Sequence, residues 1–368
     1  MIKTTINKKI NLAIKYPKVA INTIFDPIFL KNRPPKYPRI INCFITEDCN
    51  FRCPMCHVAN SRQQQHLQML SLETIKKIAD EVSSSGASFQ LSGGEPLLHP
   101  QIIPIIKYLH QKHIPTGLVT NGLLLEKYAP QLVNSGLDFL AVSLDGPDET
   151  TQFQRGQVPG SFNQIIRGLK KFCQLRDNKI FPNIRIATVI NQTNLHNFDQ
   201  IYSVMQNIPI DHWSISHFFY YYQEIKSNQN KFFKNHHTGN DVWGQYTGHQ
   251  KEYFTPKQRQ LLKQKLDQIK HLKNSKFIIS FNHIDIDKYY SGQKPSQNSF
   301  CDSPFRQIFL RGNGDVEICH GFIAGNIHRQ SLKKIWHRQS VNKFRKILIK
   351  NKTIPACFRC CALDIKFD

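Results

Sequence analysis

The sequence predicts an α/β protein built on a mainly parallel sheet. Between Pro38 and about Tyr222, six short apolar runs alternate with stretches whose apolar residues recur at helical spacing. Glycines mark the ends of most of these elements, as turns and helix C-caps require. Alternating strands and helices form parallel units with right-handed crossovers, and six units are too few to close a barrel. We therefore expect a partial, open barrel or an open sheet, with a ligand at the carboxyl ends of the strands.

Each element follows from a local pattern. The predicted strands are apolar runs rich in β-branched residues, such as IRIATVI at Ile184–Ile190. The predicted helices repeat apolar residues at i, i+3 and i+4, and Ser71 is a suitable N-cap for the first of them. In chain order the strands are 39–46, 88–91, 116–120, 138–144, 184–190 and 212–219, and the helices are 71–83, 101–110, 124–134, 162–175 and 195–206.

Shifts in composition divide the chain into four predicted segments. These are a basic N-terminal extension at 1–37, the α/β unit at 38–222, a polar linker with one helix and one strand at 223–300, and a small Cys-rich module at 301–368. Within the linker, Gln223–Lys251 shows no regular period and predicts a mobile linker or a functional lid. Its candidates for lining a substrate pocket are His236, His237, Trp243 and Tyr246.

Composition excludes several classes of protein. A hydrophobic content of 40% excludes a disordered chain, and 10 Cys in 368 residues exclude a disulfide-stapled mini-protein. No apolar run approaches the length of a membrane span, and the first residues lack the apolar core of a signal peptide. We therefore expect a cytoplasmic protein with reduced thiols, in which clustered Cys residues indicate metal ligands.

The chain is strongly basic, with 49 Lys and Arg against 26 Asp and Glu and a net charge of +23. The excess is concentrated in residues 1–40 and 331–350. Either stretch suits the phosphates of nucleic acid or of lipid headgroups, so peripheral membrane contact through the basic N-terminus is one interpretation. A solvated surface without a dedicated partner explains the charge equally well. Because no nucleic-acid-binding motif accompanies these stretches, nucleic acid is not the favoured partner.

The strongest motif is a set of three cysteines, Cys49, Cys53 and Cys56, directly after the first predicted strand. A loop at that position lies at the carboxyl edge of the sheet. Spacing this tight allows three thiolates to converge on one iron–sulfur cluster, and three thiolates leave one iron of a four-iron cluster open. The alternative is a zinc site with His57 as the fourth ligand.

The second motif is Ser92-Gly93-Gly94-Glu95-Pro96, directly after the second predicted strand. Two glycines allow a ligand to approach the backbone closely. The Glu95 carboxylate can accept a charge-assisted hydrogen bond from a cationic group. Taken alone, the motif is also compatible with a simple turn.

Together, these motifs resemble the radical S-adenosylmethionine (radical SAM) enzymes over roughly Pro38 to Tyr222. The resemblance implies a (βα)6 partial TIM-like barrel and a [4Fe–4S] cluster on the three cysteines, whose open iron is chelated by SAM. It also implies that Glu95 and the backbone of the two glycines contact the methionine ammonium, and that Arg155 lies near the SAM carboxylate. The polar strand-end residues that would line the SAM site are Asn121, Ser143, Asp145 and Asn191. One departure from the family is Met55, where many members carry an aromatic residue.

The C-terminal module carries a third Cys pattern, which surrounds a GNGDVEIC segment at 312–319. Its order resembles the SPASM/twitch extension of radical SAM enzymes, which binds auxiliary [4Fe–4S] clusters. The resemblance implies one auxiliary cluster with four thiolates, and Cys361 is a rival to Cys360 as the fourth ligand. Zinc is the alternative metal, since four thiolates also suit it. The implied ligands are Cys301, Cys319, Cys357 and Cys360.

The resemblance implies an enzyme that cleaves SAM reductively and abstracts hydrogen from a substrate, with an auxiliary cluster in electron transfer. Its substrate would be a peptide side chain or a small polyol or aminocyclitol, and its electron donor would be of the flavodoxin or ferredoxin type. His217 and Tyr220 lie at the edge of the sheet suited to substrate contact, although the sequence favours a structural role for both. Two alternatives stay open: a radical SAM enzyme acting on tRNA, and a non-enzymatic basic protein with structural zinc sites that binds nucleic acid.

Overall fold

The computed structural model describes residues 10–29, 34–56, 68–220, 222–236, 253–272, 275–281, 284–293, 301–319 and 321–360. Within these ranges all the named strands belong to one ten-stranded sheet. The strands are β1 (Ile40–Thr46), β2 (Ser88–Gly93), β3 (Thr116–Thr120), β4 (Phe139–Ser143), β5 (Asn183–Ile190), β6 (His212–His217), β7 (Ile278–Phe281), β8 (Gln307–Leu310), β9 (Asp315–Cys319) and β10 (Phe322–Asn326). Their order across the sheet is β10-β9-β8-β1-β2-β3-β4-β5-β6-β7.

Strands β1 to β7 are parallel, so their carboxyl ends meet at one edge. The two outermost described strands, β10 and β7, do not pair with each other, so the sheet is open. The predicted α/β class and parallel sheet are confirmed. Strand β8 continues the sheet beyond β1 in parallel, and β9 and β10 then turn back as antiparallel neighbours. The C-terminal module therefore extends the main sheet.

Helices follow most of the parallel strands. The helix after β1, Leu72–Val82, shows why they form: Ser71 accepts the Thr74 backbone N–H, and the side chains facing inward are apolar. The helices are α1 (Pro17–Phe29), α2 (Leu72–Val82), α3 (Ile102–Gln111), α4 (Leu125–Val133), α5 (Glu149–Gly156), α6 (Ser161–Arg176), α7 (Ile201–Met205), α8 (Gln223–His236), α9 (Pro256–Lys270), α10 (Ile286–Tyr290), α11 (Ser303–Arg306), α12 (Leu332–Trp336) and α13 (Gln339–Asn351).

The segment after β6 differs from the sequence prediction. Residues 223–300, expected to hold one helix and one strand, contain α8, α9, α10 and β7 in their described parts. Helix α8 falls where no regular structure was expected. The residues that it buries are Ile225, Gln229 and Phe233, one per turn. Because the residues between them are mostly polar, the sequence shows no clear helical repeat of apolar residues. The expected pocket residues His237, Trp243 and Tyr246 lie outside the described residues.

The basic N-terminal segment is also folded where it is described. Asp138, immediately before β4, is completely buried, and its carboxylate accepts hydrogen bonds from the Lys15 ammonium (2.6 Å) and the Tyr16 hydroxyl (2.9 Å). Burial first, and then the Asp138 charge, raise the pKa of Tyr16 far above its ordinary value. Part of the basic charge near the N-terminus therefore neutralises a buried acid of the sheet.

Candidate functional site

The loop after β1 carries the first three cysteines. Its backbone is held by local hydrogen bonds: the Cys49 N–H donates to Asp48 Oδ1 (2.8 Å), and the Phe51 N–H donates to Cys49 Sγ (3.4 Å). The three thiols are half-buried. Burial raises the pKa of Cys53 to about 11, against a lowering by Arg155, and the neighbouring Cys56 and Cys49 raise it further. A thiol that disfavours the free thiolate, as Cys53 does, becomes stable as a thiolate when a metal supplies positive charge.

The glycines of the second motif bring two backbone segments together. Gly93 has φ +130°, and a Cβ on Gly94 would lie only 1.9 Å from the Asp48 carbonyl oxygen. Because no side chain keeps the two segments apart, their backbones form direct hydrogen bonds. The Gly94 N–H donates to the Thr46 carbonyl oxygen (2.7 Å), and the Glu95 N–H donates to the Asp48 carbonyl oxygen (2.6 Å). The glycines thus allow the cysteine loop to lie directly on this motif. Their contact with a SAM ammonium stays a prediction.

Glu95 is completely buried at the carboxyl end of β2. Its Oε1 accepts from the Thr120 hydroxyl (2.7 Å) and the Leu97 N–H (3.0 Å), and its Oε2 accepts from the Asn121 N–H (2.7 Å). Burial raises the pKa of this carboxyl above its ordinary value, although the hydrogen bonds oppose the shift. An ionised carboxylate has about four acceptor positions. Glu95 therefore retains acceptor capacity for one more donor.

Asn121 connects the first two motifs. Its backbone N–H bonds to Glu95, and its side-chain Nδ2 donates to Asn50 Oδ1 (2.7 Å) and lies 3.8 Å from Cys49 Sγ. Its Oδ1 accepts the Leu123 N–H at 3.0 Å, which fixes the amide orientation. The structure therefore brings the end of β3, the cysteine loop and the Glu95 loop into one site.

Asp145 and Arg155 form a buried ion pair on the other side of the cysteine loop. Arg155 Nε lies 2.7 Å from Asp145 Oδ2, and the guanidinium carbon lies 5.9 Å from the centre of the Phe51 ring. Asp145 Oδ1 also accepts the Val189 N–H at 2.9 Å. Arg155 Nη1 is buried and has no hydrogen-bond partner. The pair therefore presents an unused, permanently charged donor inside the site.

The other two strand-end residues differ from each other. Ser143 is the last residue of β4 and is partly buried. The side-chain oxygen of Asn191 accepts from the Thr193 N–H (2.8 Å) and hydroxyl (2.6 Å), so it closes its own turn after β5. A role of either residue in SAM binding stays a prediction.

Sequence reasoning missed three side chains of this site. Thr120 binds Glu95 as described above, Gln152 accepts the Asp145 N–H (3.2 Å), and Asn194 donates to the Asp145 carbonyl (2.9 Å). The only available sequence signal was the position of Thr120 beside Asn121. The other two reach the site from loops and helices whose packing the sequence pattern does not reveal.

The four predicted auxiliary cysteines lie in the C-terminal module, where three of them act electrostatically on Cys319. Cys301 and Cys357 are buried, Cys319 ends β9, and Cys360 follows the 3₁₀ turn Pro355–Arg359. Burial raises the pKa of Cys319 well above its ordinary value, and the three other thiols add to that shift. The Ile354 N–H lies 3.5 Å from Cys357 Sγ and donates to it. The effect of three thiols on Cys319 indicates that they lie near it, and four thiolates are a donor set that either an iron–sulfur cluster or zinc accepts.

The ligand sets themselves stay predictions. In the described part of the chain, no group of three or more His, Cys, Asp or Glu side chains has a ready metal-holding arrangement. The rival ligands Cys361 and His57 both lie outside the described residues. Cys43 and Cys173, the cysteines assigned to neither set, are buried in the core.

The end of β6 carries a buried aromatic cluster. His217 Nδ1 lies 2.9 Å from the Tyr290 hydroxyl, and Tyr220 stacks parallel to Tyr290 at 6.4 Å between ring centres. The Tyr289 hydroxyl donates to the carbonyl oxygens of Phe218 (3.0 Å) and Arg359 (3.1 Å). Since Arg359 belongs to the auxiliary cysteine loop, these bonds connect the aromatic cluster to that loop. A cavity of about 390 Å³ lies beside it, between β6, β7 and α9. Its lining includes His217, Lys263, Asp267, Lys270, Phe281 and Ile284.

Fold and site together define an α/β protein with a cysteine loop at the carboxyl edge of a parallel sheet and four further cysteines in a C-terminal module. The family described as the radical SAM superfamily matches residues 43–216, and the SPASM iron–sulfur cluster-binding domain matches residues 301–361. The chain belongs to the radical SAM superfamily and carries a C-terminal SPASM domain. The radical SAM domain implies a [4Fe–4S] cluster and SAM as cofactors, and the SPASM domain implies additional iron–sulfur clusters. These matches favour an iron–sulfur enzyme over the interpretation as a non-enzymatic zinc protein.

Curated relatives match part of the chain. A probable GTP 3′,8-cyclase of Methanococcus maripaludis is 37% identical over 141 residues, which are 37% of this chain and 47% of that protein. An AdoMet-dependent heme synthase of Nitratidesulfovibrio vulgaris is 27% identical over 179 residues, 48% of this chain and 47% of that protein. The chain thus spans about half the length of the curated relatives it matches.

Solved structures match most of the chain and share its fold. Streptococcus suis SuiB bound to S-adenosylmethionine has a TM-score of 0.62 and 16% identity, covering 89% of this chain and 72% of SuiB. The protein anSMEcpe with bound AdoMet and a peptide has a TM-score of 0.58 and 17% identity, covering 87% of this chain and 85% of that one. Within the described ranges, no helix combines the length and apolar character needed to span a bilayer.

Proposed function

We propose that this enzyme generates a substrate radical at the carboxyl edge of the sheet, on a peptide side chain or on a small polyol or aminocyclitol. When bound, the [4Fe–4S] cluster supplies the electron that cleaves SAM to methionine and a 5′-deoxyadenosyl radical, which abstracts hydrogen from the substrate. Cys49, Cys53 and Cys56 are the residues that would hold this cluster. The observation that carries the proposal is Asn121, whose contacts unite the cysteine loop with Glu95.

The charged groups of the site match the two ends of the SAM methionine. Arg155 is held by Asp145 through Nε, and its unpartnered Nη1 is available to donate to the SAM carboxylate. Glu95 keeps one acceptor position, which suits the ammonium group. The incoming positive charge would offset the burial that raises the pKa of Glu95. These two residues would thus orient SAM by its charges.

The auxiliary site is suited to electron transfer. Cys301, Cys319, Cys357 and Cys360 would occupy all four irons of one cluster, which leaves no iron open to substrate. Such a cluster can accept the electron left on a substrate radical, and the overall reaction is then a two-electron oxidation. The first electron would come from a small flavodoxin-type or ferredoxin-type protein.

The substrate is the open part of the proposal. The relatives with bound peptide match the fold of this chain over most of its length, which supports a peptide side chain. The single-cluster spacing of the auxiliary cysteines resembles that of radical SAM enzymes that act on a small polyol or aminocyclitol, which supports this class. The cavity beside His217 lies at the carboxyl end of β6, and its Lys and Asp lining suits a polar group in either case.

Anaerobic reconstitution tests the reaction class. We expect a brown protein that forms 5′-deoxyadenosine from SAM when dithionite is added. The variant with Cys49, Cys53 and Cys56 changed to Ala should lose this activity and part of its iron. Cys43→Ala is the matched control, since Cys43 lies buried on β1 and belongs to neither ligand set. Deoxyadenosine formation that survives in the triple variant would refute the proposal.

Labelled substrates separate the two substrate classes. Each candidate peptide or polyol, deuterated at the carbon to be attacked, is incubated with enzyme, SAM and reductant. Mass spectrometry of deoxyadenosine then shows which class transfers deuterium. A class that transfers none under conditions in which the other does is excluded.

A further inference from the structure

The auxiliary cysteine loop contains a fully buried arginine. Arg359 lies between Cys357 and Cys360 and has no solvent exposure. Its guanidinium carbon lies 5.4 Å from the centre of the Tyr289 ring, 5.7 Å from Tyr220 and 5.9 Å from Tyr222. A guanidinium keeps its positive charge in proteins, so this aromatic cage encloses a permanent cation.

The protein supplies this cation with few partners. Nη1 donates to the carbonyl oxygens of Gln293 (3.1 Å) and Phe358, whereas Nε and Nη2 are buried and have no hydrogen-bond partner. In the described ranges no carboxylate forms an ion pair with Arg359. Burial raises the pKa of Tyr220 to about 12, although the charge of Arg359 and its hydrogen bond to the phenol oppose the shift. This phenol is therefore neutral near pH 7 and supplies no negative charge. A buried charge without a counter-charge is costly, so a negative group is expected nearby.

The backbone of this arginine belongs to the loop that carries two of the predicted cluster ligands, so a bound cluster would supply the nearest negative charge to this loop. Four thiolates give an iron–sulfur cluster a net negative charge, and reduction adds one further electron. Arg359 directly precedes one predicted ligand and follows another by two positions, and consecutive Cα atoms are only about 3.8 Å apart. The attraction between charges decays slowly with distance inside a protein, where solvent screening is weak.

We propose that Arg359 is the counter-charge of the auxiliary cluster and holds its reduction potential above the value that four thiolates alone would set. The inference rests on the proposed assignment of Cys301, Cys319, Cys357 and Cys360 to that cluster. Arg359 acts through the cluster, so it is a positioning residue and touches no substrate. Because the reduced cluster is the more negative form, a nearby cation stabilises it and raises the potential.

A second buried hydrogen-bond donor without a partner lies against the same loop. Gln229 of α8 is completely buried, and its Oε1 accepts the Ala356 N–H at 2.9 Å, directly beside Cys357. This bond fixes the amide, and the opposite group, Nε2, has no partner. Hydrogen bonds to cluster sulfurs also raise the potential. Both unused donors next to this loop therefore favour a negative group at the same place.

The test is a redox titration of the auxiliary cluster alone. The full chain with Cys49, Cys53 and Cys56 changed to Ala is reconstituted, and the reduced cluster is followed by electron paramagnetic resonance as dithionite is added. Arg359→Gln removes the charge, Arg359→Lys keeps it, and Tyr289→Phe removes only the hydroxyl that bonds to the Arg359 carbonyl. The last variant is the control for loosening of the loop.

We expect Arg359→Gln to move the midpoint to a more negative potential. The reduced-to-oxidised ratio at the parent midpoint should fall about tenfold, which corresponds to about 59 mV for one electron. Arg359→Lys and Tyr289→Phe should stay close to the parent. An unchanged midpoint in Arg359→Gln, or an equal shift in Arg359→Lys or Tyr289→Phe, overturns the inference.

Two further outcomes are also decisive. If Arg359→Gln cannot hold the cluster but Arg359→Lys can, the charge is needed to retain it, which supports the inference; loss of the cluster in both variants overturns it. If the parent of this series, with its four auxiliary cysteines intact, binds no four-iron cluster, the proposed assignment fails instead. Iron and sulfide analysis of that parent therefore separates the two failures.

Discussion

Arg155 provides a sharp test of the proposed SAM site. Its Nε binds Asp145, while Nη1 is buried and unpartnered. Arg155→Lys keeps a positive charge beside Asp145 but removes the forked donor set, since an ammonium is a point charge. We therefore expect Arg155→Lys to fold and to hold its first cluster, but to bind SAM more weakly.

The magnitude follows from the single hydrogen bond that is lost. A hydrogen bond between charged groups contributes about 1.5–3 kcal/mol. Since each 1.4 kcal/mol is about a tenfold change in affinity, the Kd for SAM should rise roughly 10- to 100-fold. The Arg155 and Asp145 side chains are only 14% and 3% exposed, so solvent screening reduces this value little.

The assay is anaerobic calorimetry of SAM binding to reconstituted protein. Arg176→Lys is the matched control, because Arg176 forms a similarly buried pair with Asp211 at the opposite edge of the sheet. We expect this control to bind SAM as the parent does. Equal SAM affinity in Arg155→Lys and the parent, at equal iron content, would refute the role given to Arg155.

Three further predictions concern stability and the cluster loop. Asp138→Ala should lower the free energy of unfolding by on the order of 3 kcal/mol in urea titrations, because it removes a buried acid from its cationic and hydroxyl partners; a loss below about 1 kcal/mol would contradict this. Gly94→Ala should abolish iron binding at the first site only, because its Cβ would collide with the Asp48 carbonyl oxygen; iron content equal to the parent would show that the loop can shift. Burial lowers the pKa of His212 from 6.5 to about 4, so the unfolded chain binds the proton more readily and stability should fall as pH drops through this range. His212→Asn should weaken that dependence in denaturation measured at several pH values, and identical slopes would rule out His212 as its source.

The sequence predicted the elements whose signals are local. The strand runs, the helix after β1 and the cysteine motifs could be placed because apolar period, capping and Cys spacing are properties of a few neighbouring residues. The position of Glu95 after the second strand followed from the same reasoning, since parallel strands end at one edge. Asn121 and Asp145 were singled out by the resemblance to the radical SAM family.

The features that were missed depend on distant partners. Helix α8 buries one residue per turn, and its packing against the auxiliary loop is not encoded in a local period. Lys15 and Tyr16 pair with Asp138 across more than a hundred residues, so their charge looked like surface charge. Gln152 and Asn194 enter the site through hydrogen bonds that only the folded chain brings together.

The parallel pairing of β1 with β8 also has a consequence for the order of events at the ribosome. Ile40–Cys43 match Gln307–Leu310, so the strand that leads into the first cysteine loop has its final neighbour more than 260 residues later in the chain. Until that late segment emerges, one side of β1 is an unpaired edge that can recruit other chains. Nascent chains arrested before residue 307 should therefore depend on chaperones to stay monomeric.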